Sequence, residues 1–362
     1  MLINSIVIIE CNDHIGPAII MLTLSALIKS LSHEEYVSGQ VLAERFAVTR
    51  ATINNHMTRL QQFGLRIECV SGRGYRLEHP IQLHDVEHIK TSLAPTVAQC
   101  LVELRCEQEL ESTNISIKNY ELPPKNHFSV LLAERQTAGR GRRGRTWIAP
   151  YAANVTMSLL WNLQVGMQNV GLLSPFLAVQ LAQALTKLGL SEVKVKWPND
   201  VYCADKKIAG ILIECSGEVN ANCRMVIGLG LNVFMSQRFS QHSQQMLDQM
   251  IDQAWTDVIT QHPTLTQGRD QIAAACIDAL VTGLQDYESY PYEKFCGAFC
   301  DLWSEWDWLA NKAVRVDSET SSVHGVAIGI THLGGLRLVT LEGEQEIVIG
   351  EVSVREASDR EY

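Results

Sequence analysis

The stretch SVLLAERQTAGRGRRGRTWIAPYAANVTMSLLW, residues 129–161, carries two nucleotide-binding patterns at once. Gly139, Gly141 and Gly144 spell G-x-G-x-x-G, and Gly139 to Thr146 spell G-x-x-x-x-G-R-T, with Arg145 where a phosphate loop has lysine. Both patterns work by delivering a phosphate to the N-terminus of a helix. The preceding strand is present as SVLLAE, but Trp147-Ile148-Ala149-Pro150 follows the loop and then a second strand-like run. A Rossmann or phosphate-loop fold is therefore excluded here. What remains is a loop with four arginines within residues 140–145. The guanidiniums repel one another, and ordering the backbone costs about 1–2 kcal/mol per residue. Such a loop should be mobile when empty and ordered around an anion, since the arginine fork suits phosphate and carboxylate. A generic basic nucleic-acid segment is the plainer alternative.

The 362 residues suggest two or three domains, and 46% hydrophobic with 19% charged residues describes a globular chain. A net charge of −10 confines any nucleic-acid contact to a local basic patch. The ten cysteines contain no C-x-x-C pair, so reduced cytosolic thiols are expected rather than disulfides or zinc. His84 and His88 are four apart with no third ligand in view, and read as a solvated helix face. Residues 1–20 are apolar but lack a basic start, and Glu10, Asp13 and Pro17 interrupt them. They resemble neither a signal peptide nor a membrane span. Met21 is expected to be the physiological start, with residues 1–20 a spurious extension, and the protein is expected to be cytoplasmic.

Residues 21–80 read as a winged helix-turn-helix. LTLSALIKSL and GQVLAERF are helical, and Thr49 should cap a third helix over 50–63 that Gly64 ends. Ile53, Met57 and Leu60 face inward, leaving Arg50, Thr52, Asn55 and Arg59 for base edges or phosphates. RIECVSGRGYRL forms a wing, in which Arg73 and Arg76 suit phosphate contacts. Residues 38–80 hold six Arg against three Glu, opposite to the whole chain. A winged helix that binds protein, or no longer binds DNA, is the alternative. Residues 81–310 alternate strand and helix signals, as in a mixed α/β domain. A Gln-rich stretch between Asn232 and Trp255 reads as a surface loop with a helical part. Residues 311–362 give short strands separated by turns, expected to form a small SH3-like β-barrel. The fold class is therefore α+β in three parts.

The second clue is VKVKWPNDVYCADKKIAGILIE, residues 193–214. Asn199 and Asp200 sit at a strand tip and Lys207 opens the next strand, where α/β domains place chemistry. A lysine there gives a fixed positive charge; taken alone, it is equally a solvated hairpin residue.

Together these motifs resemble the biotin–protein ligases, specifically the bifunctional class that also represses biotin synthesis genes. Ser112-Thr113-Asn114 matches the family's S-T-N segment, residues 135–147 its glycine-arginine loop, and residues 196–200 its K-W-P-N-D segment. Residues 207–214 match the lysine strand and Gly228-Leu229-Gly230-Leu231-Asn232 a later loop. The resemblance runs from about Met21 to the end.

The resemblance implies that biotin and ATP, with Mg²⁺, form biotinyl-AMP, and that the biotinyl group then passes to a lysine of the biotin carboxyl carrier protein of acetyl-CoA carboxylase. Bringing a carboxylate onto a polyanion calls for positioning and fixed positive charge. By matching position, Lys207 and Arg142 are catalytic. Ser112, Thr113, Asn114, Gln136, Gly139, Arg140, Arg142 and Lys207 hold biotin, with Ser112, Thr113 and Gln136 on its ureido ring. Arg143, Arg145, Trp147, Asn199, Asp200 and Asn232 face the nucleotide. Arg140, Arg142, Arg143 and Arg145 would fold over the adenylate phosphate. Asp200 helps place Mg²⁺, held mostly by the phosphates; no protein metal site is expected. Asp200 or Lys207 assists deprotonation of the carrier lysine. Loaded with biotinyl-AMP, the protein is expected to dimerise and bind operator DNA, with no membrane association. The sequence departs from the family pattern at Ala152-Ala153-Asn154, at Thr156, and in a longer loop after Asn232. The alternatives are a ligase without operator binding, a sensing repressor with weak catalysis, and a lipoate-type ligase.

Overall fold

The computed structural model describes residues 22–164, 167–217, 223–237, 251, 253–290, 292–318, 321–348 and 353–356. The expected start at Met21, the residues before it, and most of the Gln-rich stretch after Asn232 lie outside the described residues.

The first unit packs three helices against a hairpin: α1 (Leu24–Ile28), α2 (Gly39–Arg45), α3 (Arg50–Gln62), β1 (Ile67–Val70) and β2 (Gly74–Leu77). Thr49 caps α3 by accepting from the Thr52 amide, and Gly64 leaves the helix at φ 92°. Ile53, Met57 and Leu60 are buried with Leu27 and Leu42, as their spacing predicts. In the wing, Gly74 has φ 113°, and a Cβ there would lie 2.2 Å from the Val37 carbonyl oxygen. Conformation and space both demand glycine. The core of this unit extends into the next domain through Tyr151 and Ala152. Phe63, at the C-terminus of α3, stacks on Tyr151 at 5.6 Å, and the Arg135 guanidinium covers the same ring at 4.5 Å.

The central domain is a seven-stranded sheet of β3 (Leu101–Glu107), β4 (Phe128–Ala133), β5 (Asn154–Leu163), β6 (Val193–Lys196), β7 (Asp200–Cys203), β8 (Lys206–Gly217) and β9 (Cys223–Asn232). Their order is β3-β4-β5-β9-β8-β7-β6, and only β3 with β4 is parallel. Helices follow in chain order as α4 (Val86–Ser92), α5 (Pro95–Ala98), α6 (Thr113–Ile117), α7 (Leu173–Lys187), α8 (Val258–Gln261), α9 (Arg269–Ser289) and α10 (Tyr292–Trp306). Alternation along the strands fills two faces. Val130, Leu132, Leu159, Trp161 and Ile227 join the large core with α7 and α9. Leu131, Leu160 and Val226 pack with Ile117 of α6. β4 is buried on both faces, hence its unbroken apolar run.

The C-terminal unit is an antiparallel sheet of β10 (Ala313–Asp317), β11 (Ser322–Ile330), β12 (Leu336–Thr340), β13 (Gly343–Ile347) and β14 (Ser353–Glu356), in the order β13-β12-β11-β10-β14. Val314, Val316, Ala327, Leu336 and Leu338 extend the central core. Among the described residues no helix is long and apolar enough to cross a membrane.

One expectation fails. His84 and His88 do not share a solvated helix face, because α4 begins only at Val86, with Asp85 as its cap. A spacing of four marks one face only when both residues are helical. His84 is buried, its Nδ1 2.8 Å from Asp270 Oδ1, and His88 Nδ1 lies 3.2 Å from Asp270 Oδ2. Beside them Arg269 binds Glu134 at 2.9 Å and donates to the carbonyls of Gln82 at 2.5 Å and Asn154 at 2.7 Å. The His84 amide donates to Glu134 at 2.6 Å. This sealed ion cluster fixes the segment between the first two domains.

Candidate active site

No helix follows the Gly139–Arg145 loop; it contains a single 3-10 turn, Arg142–Gly144, closed by Arg145 N–H donating to the Arg142 carbonyl at 3.2 Å, and Gly141 N–H donates to the Arg145 carbonyl at 2.7 Å across its base. Trp147 N–H then bonds Gly139 O at 2.9 Å, and the chain runs on to β5. The loop arginines have protein partners in this state. Arg140 reaches Glu214 at 3.5 Å, Arg142 reaches Asn199 Oδ1 at 3.4 Å, and Arg143 donates to the Asp317 carbonyl at 3.2 Å. Burial pushes the Arg142 guanidinium below its ordinary value.

The loop roofs a cavity of about 310 Å³. Its wall brings together Ser112, Thr113, Asn114 and Gln136, all four loop arginines, Trp147, Asn199, Asp200, Lys207 and Asn232. These come from five separate stretches of chain. Gly139 does not line the cavity; it packs so closely on Trp147 that a Cβ would lie 2.3 Å from that residue's carbonyl oxygen. Gly228 and Gly230 supply a flat floor on β9. A Cβ at Gly230 would lie 2.2 Å from the Trp147 ring, and one at Gly228 2.2 Å from Asn114 Oδ1.

Lys207 is the central cation. Its Nζ lies 2.8 Å from Asp200 Oδ1 and 5.7 Å from the centre of the Trp147 ring. The β7–β8 hairpin holds this pair, and Lys207 is also fixed from outside, its N–H donating to Ala254 O at 3.0 Å. Asp200 is the one carboxylate among the described lining residues, and no group of three His, Cys, Asp or Glu capable of holding a metal occurs among the described residues. The Trp147 Nε1 is buried without a hydrogen-bond partner, an orphan donor at the wall.

Three asparagines expected to face ligands line the cavity and are also bonded within the protein. Asn232 Nδ2 donates to Thr256 O at 3.0 Å, Asn199 Nδ2 to Ile211 O at 2.7 Å, and Asn114 Nδ2 to Glu214 at 2.8 Å. They shape the wall. Sequence reading missed Glu214, Ser158, Lys196 and Trp197 as parts of the site. Lys196 lines the cavity, and burial lowers its ammonium. Trp197 donates from Nε1 to Gly334 O at 2.8 Å, tying the K-W-P-N-D turn to the C-terminal sheet. The position of Trp197 in its motif was visible; its partner Gly334, 137 residues away, was not.

On the first domain, Arg50 and Asn55 stand exposed along α3. Thr52 Oγ1 is 2.9 Å from Thr49 Oγ1, within the helix cap. Arg59 lies over Phe63 at 5.2 Å and 4.0 Å from Glu109, turned toward the central domain. In the wing Arg76 binds Glu68 at 2.7 Å, and Arg73 covers the Tyr36 ring at 4.3 Å.

A mixed sheet with a cationic loop closing over a lysine-centred cavity, joined to a winged helix, defines a ligase with an appended DNA-binding module. The sequence profile described as Biotin/lipoate A/B protein ligase family matches residues 107–232. An HTH domain profile matches 23–76, and the profile Biotin protein ligase C terminal domain matches 310–355. The "Bifunctional ligase/repressor BirA" of Salmonella typhimurium is 33% identical over 337 residues, covering 91% of this chain and 97% of that protein. The protein of the same name from Escherichia coli is 32% identical with the same coverage. The structure titled "Biotin protein ligase from Aquifex aeolicus in complex with biotin and ATP" is 25% identical, covers 71% of this chain and 100% of that one, and superposes with a TM-score of 0.57. The chain belongs to the family of bifunctional biotin ligases and repressors.

Proposed function

We propose that the cavity joins biotin to ATP and passes the biotinyl group to a lysine of a carrier protein. The chain is an ATP-dependent biotin–protein ligase, and its winged helix serves repression. The observation that carries the reading is the convergence of the S-T-N segment, the arginine loop, the K-W-P-N-D turn and Lys207 around one cavity.

A biotin carboxylate oxygen attacks the α-phosphorus of ATP, and the α–β P–O bond breaks to release pyrophosphate. Both reactants are anions, so fixed cations lower the barrier most. Lys207 stands at the reacting centre, with Arg142 above it, and Arg140, Arg143 and Arg145 neutralise phosphate as the loop closes. Closure keeps water from the mixed anhydride. Ser112, Thr113 and Gln136 read the ureido ring, and Gly139 lets the loop lie close to Trp147. Trp147 flanks the ligand with its unpartnered N–H, while Asn199, Asp200 and Asn232 line the nucleotide side. In the second step the carrier amine attacks the acyl carbon and AMP leaves. Asp200, already accepting from Lys207, is placed to take the amine proton. Asp200, the carboxylate among the described lining residues, would help hold Mg²⁺, which would supply charge neutralisation.

We assign the carrier as the biotin carboxyl carrier protein of acetyl-CoA carboxylase, the C-terminal sheet as an SH3-like barrel, the domain limits as 21–80, 81–310 and 311–362, and the compartment as the cytoplasm. Loaded with biotinyl-AMP, the chain forms a homodimer that binds operator DNA, with Arg50 and Asn55 reading the groove. Thr52, Arg73 and Arg76 border that surface, and Arg59 stands at its inner end. Incubation with ATP, Mg²⁺, biotin and a carrier domain, probed with labelled streptavidin, should give a biotinylated carrier and pyrophosphate; failure of both refutes the ligase reading, and transfer of lipoate instead would support the lipoate-type alternative. A gel shift that appears only with biotin and ATP tests the repressor.

A further inference from the structure

The two arginines of the wing are held differently. Arg76 on β2 stands directly opposite Glu68 on β1, and its Nε and Nη2 both donate to Glu68 Oε2, at 3.1 and 2.7 Å. The same oxygen accepts from the Tyr36 hydroxyl at 2.5 Å. The Tyr36 bond first, and the Arg76 bonds second, hold the Glu68 carboxyl below its ordinary value against partial desolvation, and the bond to Glu68 raises the Tyr36 phenol. Glu68 is therefore an ionised acceptor, and Tyr36 keeps its proton. Tyr36 comes from the segment between α1 and α2. Its neighbour pins that segment to the wing, with Val37 N–H donating to Tyr75 O at 2.9 Å and Tyr75 N–H to Val37 O at 3.0 Å. The Tyr36 side chain is thus held at both its backbone and its hydroxyl.

Arg73 sits in the turn of the wing, which its N–H closes by donating to Val70 O at 3.0 Å. Its guanidinium lies 4.3 Å from the centre of the Tyr36 ring, and that of Arg76 lies 4.7 Å from the same ring. Two cations over one ring repel, but Glu68 neutralises Arg76. The cluster is left with one net positive charge, and it falls on Arg73. Arg73 is exposed, and among the described residues its guanidinium makes no hydrogen bond or ion pair. A guanidinium stacked on an aromatic ring uses its flat face and keeps its N–H edge for an acceptor such as phosphate. Being partly ordered already, it loses less rotamer freedom when that acceptor arrives. Tyr75 Oη donates to Asn54 Oδ1 at 3.3 Å and so ties the wing to the reader helix α3.

We propose that Tyr36 is a positioning residue for DNA binding: anchored by Glu68, its ring presents the Arg73 guanidinium to a phosphate of the DNA backbone. Arg76 gives its donors to Glu68 and serves the anchor. The proposal rests on the repressor reading of the winged helix. It divides the two wing arginines into one that meets DNA and one that holds the platform, although both stand on one short hairpin.

The test is fluorescence anisotropy of the full-length protein, given biotin and ATP, on a labelled duplex of the DNA upstream of the biotin synthesis genes, over a series of salt concentrations. Arg73→Ala should lower the salt slope by about one for each bound protomer, the mark of a lost phosphate contact. Tyr36→Leu removes the platform and leaves the charge. It should weaken binding by about two- to fivefold, the worth of an exposed cation–π contact, with the slope unchanged. Tyr36→Phe keeps the ring and should bind more tightly than the leucine variant. In the Arg73→Ala background Tyr36→Leu should weaken binding no further, because the ring acts through that arginine. Tyr36→Gln, which also removes the ring, replaces the leucine variant if that does not fold. The proposal is overturned if Arg73→Ala keeps the wild-type slope, if loss of the ring leaves affinity unchanged, or if its effect persists in full without Arg73, which would mark a purely structural role in the wing. A wild-type protein that binds no DNA with biotin and ATP overturns the repressor reading and this proposal together, whereas a DNA-binding wild type with any of those three failures overturns this proposal alone.

Discussion

The central domain holds two charged clusters that differ in how completely they are answered. Around Arg269, Glu134, His84 and Asp270 each carboxylate meets a cation or a backbone N–H and the cluster is buried, with only nitrogens, His84 Nε2 and Arg269 Nε, left without a partner among its described atoms. Around Lys207 the balance differs: one lining carboxylate, Asp200, stands among two lysines and four arginines that wall a cavity. A sealed cluster determines position. A cavity walled by excess positive charge suits an anionic ligand, which is why the proposed reaction is placed there.

Exchanging the defects should break this contrast if it is wrong. Arg269→Ala leaves Glu134 buried and uncompensated, and should cost about 3–5 kcal/mol in urea unfolding. Lys207→Ala should change stability by less than about 1 kcal/mol while slowing pyrophosphate release by about 10²–10³-fold. Normal adenylation by the lysine variant would remove the catalytic assignment. Gly230→Ala sharpens the point without touching charge. Its Cβ would displace the Trp147 ring that bounds the cavity, so biotin and ATP affinity should fall by about tenfold or more while the fold persists; unchanged binding would show that the ring does not border the ligand.

Acid should find the sealed cluster first. Burial, reinforced by Arg269, holds His84 below its ordinary 6.5, so the unfolded chain binds a proton that the folded chain refuses. Stability is therefore full above that value and lost as pH falls through it. Glu134 and Asp270, held low by Arg269 and His84 against the opposing effect of burial, add a second loss as pH falls through their ordinary values of 4.5 and 3.8. A urea midpoint that stays level from about pH 7.5 to about pH 5 would contradict this account. The smallest effect concerns the reader helix. Arg50→Ala should lower the salt slope of operator binding by about one, and Arg59→Ala, whose guanidinium faces Phe63 and Glu109, should leave it unchanged.

The motifs marked the charged groups that line the cavity because such residues stand together in the chain: the arginine loop, the K-W-P-N-D turn, Lys207. Supporting residues carried no such mark. Ser158 sits in an ordinary apolar strand, and Glu214 reads as a strand end. The two histidines misled because helical spacing was assumed where the helix had not begun. Arg59 lies on the exposed face as periodicity predicts, with its guanidinium 4.0 Å from Glu109 of the central domain.

By itself the sequence determined the three-part order of domains, the helices and strands set by apolar period and caps, and the rejection of a nucleotide loop for want of a helix. These follow from local chemistry, which acts over a few residues. Only the tertiary structure decided which polar groups are consumed inside the protein and which are left for a ligand. That distinction depends on partners brought from distant strands, and a hydrogen-bond donor or charge has one meaning when answered and another when it faces a void.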